Sequence, residues 1–451
     1  GYVAAIRAAQ LGLKAAIIEK DKRLGGTCTL RGCIPTKQLL QSAHLLEQMK
    51  HAEDFGIIST GIDFNFENVL KRKDKVVTKN SKGIEFLMKK NKITVFKGTG
   101  RLTLPGKVEV TGEDGKKEIV ETKNIIIATG SVVRPIPGFE VDANQVINSD
   151  QILEMKEVPK SLIVMGAGAV GVEFASVYSR FGSDTTLVEL LPRLLPVEDE
   201  EISTELAKAF KKRNIRLQLD TKLEKLEKSG KGVVVTGKTS KGEAVKLEAE
   251  KILVAVGRMS FTEGLGLDGT RIKVERGSIK VNEYLQTDES NVYAIGDVIP
   301  TALLAHLASK EGIVAVEHIA GHNPQPVNHR LVPSCTYCDP EVASVGLTEA
   351  KAKELGFDTK VGKFPFSASG KARILGEEEG FVKIVSESKY DEILGVHIIG
   401  PHATEIIAEA CVAMQLESTA EELGRTIHAH PTVSESVMEA AEGVHNLTIH
   451  F

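Results

Sequence analysis

The run Gly166-Ala-Gly168-Ala-Val-Gly171 constrains this chain more than any other stretch. Leu162-Ile-Val-Met165 before it reads as a short buried strand, a helix is expected from the turn to Gly182, and Thr185-Thr-Leu-Val-Glu189 reads as the next strand, ending in an acid. In that strand–turn–helix–strand setting G-x-G-x-x-G is a dinucleotide-binding turn. Its glycines let the backbone approach a pyrophosphate at a helix N-terminus, where unpaired N–H groups and the helix dipole favour an anion. Glu189 is then placed to accept hydrogen bonds from ribose hydroxyls and to repel a 2′-phosphate, so NAD is expected over NADP. Arg193 nearby weakens that preference slightly. The competing readings are a fortuitous tight turn and a solvated strand-end glutamate.

Subtracting 170 from these positions finds the same plan again. Gly171 maps to Gly1, Gly182 to Gly12 and Glu189 to Glu19, and the segment between Gly1 and Glu19 repeats helix, glycine, strand and acid. Gly1 is read as the third glycine of another fingerprint whose strand and first glycines are expected upstream. Glu19 would bind the ribose of that second cofactor.

A length of 451 residues is compatible with roughly three domains. Residues 1–146 are expected to hold the first dinucleotide unit, with a Lys-rich helix near Lys71 to Lys92, a hairpin near 107–122, and Ile125-Ile-Ile-Ala-Thr129-Gly130 as a buried strand ending at a cofactor-facing turn. Residues 147–258 form the second unit, where a helix from Glu201 to Arg213 puts Ile202, Leu206, Ala209 and Phe210 on one face. Residues 259–330 return to the first unit, and 331–451 read as a separate α+β domain. Lys and Arg total 57 against 61 for Asp and Glu, so no basic excess exists to bind nucleic acid. The longest uncharged apolar stretch, Leu162 to Val172, falls short of the ~18 residues of a membrane span. Five cysteines are too few for a disulfide-stapled secreted scaffold, which makes a reducing compartment, the cytoplasm, the expectation.

Two of those cysteines stand in Gly25-Gly26-Thr27-Cys28-Thr-Leu-Arg31-Gly-Cys33-Ile-Pro-Thr-Lys37, just before an expected helix. They can close a small disulfide ring. A thiol near a helix N-terminus has a lowered pKa and is a better nucleophile, and Arg31 adds positive charge. Structural thiols are an alternative, and a zinc site would need two further ligands that the neighbourhood does not offer. His428-Ala-His430-Pro-Thr-Val-Ser-Glu435 offers a histidine able to take and return a thiol proton, with a carboxylate to fix its tautomer. Read by spacing alone, His-x-His also suggests a metal. Cys335-Thr-Tyr-Cys338 has C-x-x-C spacing, but Pro333 before it and Asp339-Pro340 after it make it a strand running into a turn. Cys411 lies in an apolar helix.

These motifs, in this order and across essentially the whole chain, resemble the flavin-dependent pyridine nucleotide–disulfide oxidoreductases. The resemblance implies two Rossmann-like domains plus a C-terminal α+β dimerisation domain: 1–146 binding FAD, 147–258 binding NAD, 259–330 central, and 331–451 the interface of a homodimer. It implies a Cys28–Cys33 disulfide, with Cys33 facing the flavin and Cys28 exchanging with substrate, and Lys37 near the flavin paired with Glu173. His430 and Glu435 match the family's base dyad, which reaches the disulfide of the partner subunit, while His428 is structural. Gly1, Glu19, Gly26, Thr27, Lys37, Thr129, Gly130, Asp297 (in Val292-Tyr-Ala-Ile-Gly296-Asp297) and His306 fall at flavin positions, His306 having a packed core histidine as its rival reading. Gly166, Gly168, Gly171, Glu189 and Gly257 fall at NAD positions. Leu30, Arg31 and Met259 depart from the family pattern, the first two beside the disulfide and the third near the nicotinamide pocket. The implied reaction oxidises dihydrolipoyl groups and reduces NAD+, with the lipoyl-bearing acyltransferase of 2-oxo acid dehydrogenase complexes, or the glycine cleavage carrier protein, as partner. A transit peptide upstream would place it in the mitochondrial matrix instead. Glutathione- or mercuric-reductase-like activity, and a redox-inactive flavin-binding module, are the alternatives.

Overall fold

The two copies of the repeat fall in different structural units. The computed structural model describes residues 1–103 and 106–451. One unit comprises Gly1–Gln38, Glu67–Arg134 and Gly257–Val327, the other Leu39–Phe66, Pro135–Val256 and Asn328–Phe451.

In the first unit, helix Tyr2–Gln10 starts at Gly1, whose carbonyl accepts the Ala5 N–H at 3.1 Å. Strand Ala16–Glu19 follows and pairs in parallel with Thr94–Lys97. The helix lies against Ala305–Ile319 because Gly312 admits it: a Cβ there would meet the Ala4 Cβ at 3.1 Å. Arg7 then bonds Glu317 through Nη2 at 2.6 Å. A second parallel pair joins Ile125–Ile127 to Val292–Ala294, and Ser131–Val133 runs antiparallel to Arg258–Ser260. The hairpin near 107–122 is present as Lys107–Thr111 and Lys117–Glu121. Of the Ile125 run, expected to be buried throughout, only Ile127 is fully buried, since the strand has one ladder partner among the described residues.

The second unit contains a five-stranded parallel sheet in the order Arg216–Gln218, Asp184–Val188, Ser161–Met165, Lys251–Val254, Val146–Ile147. Leu162, Ile163, Val164 and Leu187 are fully buried, as strands covered on both faces must be. Successive strands proceed outward from Ser161–Met165 on one side and resume with Lys251–Val254 on the other. The end of Ser161–Met165 is therefore the switch point where open α/β sheets bind ligands. Helix Glu200–Lys212, capped by the Asp199 side chain on Glu201 N–H, buries Ile202, Leu206, Ala209 and Phe210. Residues Ser334–Thr336, Glu341–Gly346, Ile393–Gly400, Phe381–Glu387 and Thr359–Pro365 form a five-stranded antiparallel sheet in that order. It is accompanied by helices Ala403–Gln415, Ala420–Arg425 and Glu435–Gly443. Lys383 is buried in this sheet, its Nζ 2.7 Å from Glu349, 2.8 Å from Glu201 and 3.1 Å from Asp199.

Candidate active site

The thiol pair is built by two consecutive helices. Gly25 and Gly26, at φ +134° and +62°, turn the chain out of buried Leu24 into helix Gly26–Arg31, which carries Thr27 and Cys28. After Gly32 the chain starts helix Cys33–Lys50, which carries Cys33 and, one turn on, Lys37. A Cβ at Gly32 would meet the Thr27 carbonyl at 3.0 Å, so the tight link between the helices favours glycine. Both sulfurs are thiols here, and Cys28 hydrogen-bonds with Cys33. That bond first, and burial second, push the Cys28 pKa up, against the pull of the Lys37 ammonium. Cys28, in the first turn of its own helix, therefore does not show the lowering expected of a thiol at a helix N-terminus; Cys33 is the residue that opens helix Cys33–Lys50. Arg31 does not lend its charge to the pair, because its Nη2 is held by the Asp21 carboxylate. A dithiol in this state exchanges only when a base removes its proton. Glu19, at the end of its strand, accepts the Asp21 N–H on Oε1 at 2.9 Å.

The neighbouring parallel strands Ile125–Ile127 and Val292–Ala294 lead into two turns on the same sheet edge, one with Thr129, Gly130 and Ser131, the other with Gly296 and Asp297. Thr129 donates to the Phe261 carbonyl at 2.6 Å, and Gly130 takes φ +72° with open space where a Cβ would stand. Asp297 Oδ2 accepts from Ser131 Oγ at 2.6 Å, and its carbonyl from Ser260 Oγ at 2.6 Å. Fully buried Glu311 accepts the Gly296 N–H at 2.7 Å. Arg258 donates to Ser131 Oγ at 2.8 Å and to its carbonyl at 2.7 Å. Ser131, Arg258 and Glu311 were missed by sequence reasoning. Two of them directly follow Gly130 and Gly257, and the third is a lone acid in an apolar helical stretch. His306, in the first turn of Ala305–Ile319, is exposed, which removes the core-histidine reading.

At the second fingerprint each glycine has its own reason. A Cβ at Gly171 would stand 1.8 Å from the Gly166 carbonyl oxygen, and one at Gly166 2.5 Å from the Ala255 carbonyl. At Gly168, the N-cap of helix Ala169–Arg180, a Cβ would meet nothing within 4 Å. The first two keep strand and helix in contact; the third faces space that a cofactor backbone would fill. Glu189 accepts the Ala167 N–H at 2.6 Å and the Leu191 N–H at 2.9 Å, tying the turn to the end of the next strand. Arg193 donates to the Pro196 carbonyl at 2.9 Å, so it is spent on its own loop rather than opposing Glu189. Gly257 is at φ +103° with its Cβ direction open. Glu173, buried in the same helix as Gly171, takes the Tyr337 N–H at 2.9 Å. That bond gives the Cys335–Cys338 segment a positioning part, and Cys338 itself is buried with its thiol pKa raised by desolvation.

His430 is exposed, and its Nδ1 lies 2.8 Å from Glu435 Oε1. Glu435 Oε2 accepts the Thr432 N–H at 2.7 Å. Partial burial works against ionising Glu435, but this N–H and His430 hold its carboxyl below the ordinary range. A carboxylate on Nδ1 leaves Nε2 as the nitrogen that takes a proton. His428, by contrast, is buried between Glu409 (2.5 Å) and the Thr426 carbonyl (2.8 Å), so both nitrogens are used within the fold and the His-x-His pair is no metal clamp.

Fold and site together define a two-nucleotide α/β protein with a thiol pair and a histidine–carboxylate pair. Residues 1–312 match the family described as pyridine nucleotide-disulphide oxidoreductase, and residues 332–441 its dimerisation domain. The chain belongs to this oxidoreductase family, and with the family come its cofactors, FAD and NAD. It is 49% identical to the dihydrolipoyl dehydrogenase of Bacillus subtilis, over 100% of this chain and 97% of that one. Mitochondrial dihydrolipoyl dehydrogenase of Pisum sativum is 43% identical over 100% of this chain and 90% of its own. Among solved structures, LpdA of Mycobacterium tuberculosis superposes with a TM-score of 0.91 at 27% identity, covering 98% of this chain and 96% of that one. Among the described residues no helix is long and apolar enough to cross a membrane.

Proposed function

We propose that this chain, as a homodimer, oxidises dihydrolipoyl groups to lipoyl groups and reduces NAD+ to NADH with release of one proton. The observation that carries the reading is the Cys28 thiol hydrogen-bonded to Cys33 at the mouth of a helix bearing Lys37. The cycle starts from the Cys28–Cys33 disulfide. His430 takes the proton of one substrate thiol, and the thiolate attacks Cys28 Sγ, breaking the Cys28–Cys33 bond and leaving Cys33 as thiolate. The second substrate thiol then attacks Cys28 Sγ, its proton passing to that sulfur as it leaves, which closes the lipoyl disulfide and leaves Cys28 a thiol, Cys33 a thiolate and the first proton on His430. Glu435 holds the imidazole and stabilises its charged form. The Lys37 charge favours the thiolate of Cys28. FAD supplies the two-electron link from Cys33 to NAD+.

The residues suit both cofactors. Gly168, Gly171 and Glu189 would hold NAD, with Gly168 leaving room that a side chain would take. Gly26, Gly130 and Asp297 would hold FAD, Gly26 and Gly130 at positive φ with open space beside them. A lipoyl-bearing acyltransferase or glycine cleavage carrier is the proposed partner and the cytoplasm the proposed compartment, on the strength of the bacterial relative alone. Steady-state assays with dihydrolipoamide, glutathione disulfide and Hg²⁺, each with NAD(H) and NADP(H), test the reading. Turnover is expected with dihydrolipoamide and NAD+, and its loss with serine at Cys28 or Cys33. A preference for glutathione disulfide or Hg²⁺, or unchanged turnover in either serine variant, overturns it.

A further inference from the structure

Arg258 is half-buried, one residue past Gly257, and two of its guanidinium nitrogens converge on a single residue. The bond from Nη2 to the Ser131 carbonyl adds to the Ser131–Val133 and Arg258–Ser260 ladder and would be enough to pin the strands. The bond from Nε to Ser131 Oγ does something different. It occupies a lone pair of the hydroxyl, which turns the Ser131 proton onto Asp297 Oδ2 at 2.6 Å. Ser260 fixes the Asp297 carbonyl and Glu311 fixes the preceding N–H. Among the described residues, Asp297 Oδ1 receives no hydrogen bond, so one carboxylate oxygen is locked and the other is offered outward.

We propose that Arg258 is a positioning residue for the flavin: through Ser131 it fixes the Asp297 carboxylate so that Oδ1 meets a ribityl hydroxyl. This rests on the reading of Asp297 as the ribityl acceptor. A hydroxyl polarised by a cation on one side and donating to an anion on the other is stronger than either bond alone.

The test is the FAD dissociation constant of the holoenzyme, read by the flavin fluorescence released on dilution, in a cycle of Arg258→Met, Asp297→Ala and the double variant. Each single change is expected to weaken FAD by about 10- to 150-fold, as loss of a hydrogen bond to a charged group does. Arg258→Met made on top of Asp297→Ala is expected to add less than about threefold, because the residue acts through the lost carboxylate. Arg258→Lys, which keeps the charge near Ser131, should recover part of the affinity. Ser131→Ala gives an independent arm if Arg258→Met fails to fold, and should weaken FAD to a similar extent. If Asp297→Ala leaves FAD affinity unchanged, the reading of Asp297 is wrong and the proposal goes with it. If Asp297→Ala weakens FAD while Arg258→Met and Ser131→Ala do not, or if their effects add in full, the relay alone is refuted.

Discussion

Alanine at Gly171 and alanine at Gly168 introduce the same methyl group three residues apart, and the structure assigns them opposite consequences. At Gly171 the methyl carbon would lie 1.8 Å from the Gly166 carbonyl oxygen and 3.2 Å from Val164 Cγ1, whereas real Cβ contacts essentially never fall below 3.0 Å. The oxygen cannot retreat, because Gly166 is itself at φ +107° and packed on the Ala255 carbonyl. Overpacking costs about 1–3 kcal/mol, and a backbone clash this short belongs at the upper end, ~3 kcal/mol of folding stability. At Gly168 the backbone is ordinary extended chain (φ −73°, ψ −179°) and a Cβ touches nothing within 4 Å. Gly168→Ala is therefore expected to leave the urea midpoint unchanged or slightly raised, since alanine restrains the unfolded chain. Its methyl instead occupies the space facing the nucleotide, so NADH binding weakens by roughly 5- to 150-fold, the same ~1–3 kcal/mol read as affinity. Urea denaturation followed by circular dichroism gives the first number and calorimetric titration with NADH the second. Equal destabilisation by both substitutions, or wild-type NADH affinity in Gly168→Ala, would refute the assignment of the open side of the turn to the cofactor.

Three further outcomes follow from single sites. His430→Gln should lower turnover of dihydrolipoamide by ~10²–10⁴-fold, the usual worth of a general base, while reduction of an artificial acceptor by NADH persists; loss of both reactions together would show that His430 does more than move the thiol proton. Lys383→Met leaves Asp199, Glu201 and Glu349 without their shared buried cation, and should cost about 3–5 kcal/mol in urea denaturation, with a loss under 1 kcal/mol counting against the cluster. Desolvation lowers the pKa of buried His397 against the opposing pull of the Leu347 carbonyl, 3.0 Å from Nε2, and of Asp199 and Glu198; among the described residues its Nδ1 has no hydrogen-bond partner. The folded state keeps this imidazole neutral while the unfolded chain takes up a proton below its ordinary value of 6.5, so His397 makes stability fall as pH drops through about 6.5. Urea midpoints at pH 7.5 and 5.5 should differ less in His397→Gln than in wild type; an identical pH slope sinks this.

Much of the site was legible in the residues because its motifs are local. Gly166 to Glu189 lies within one turn–helix–strand stretch and Cys28 to Lys37 within two consecutive helices, where a glycine's conformational reach and the helical period decide geometry without long-range help. The same locality made the amphipathic face of Ile202, Leu206, Ala209 and Phe210 readable. Reasoning from the segment failed where a partner came from elsewhere in the chain. Arg31 looked like a charge for the thiols until Asp21, outside the motif, claimed it.

Sequence alone therefore determined that the chain repeats a nucleotide-binding turn and carries a paired thiol and a histidine–glutamate pair, since each depends on spacing along one stretch of backbone. Only the tertiary structure decided that Arg258, Ser131 and Asp297 form one relay, that Glu311 holds the Gly296 turn, and that Lys383 meets three carboxylates. Those groups are separated by many residues and by different elements. Hydrogen bonds and buried charges act over about 3 Å in space whatever the separation in sequence, and no periodicity in the chain encodes which distant residue will arrive at that distance.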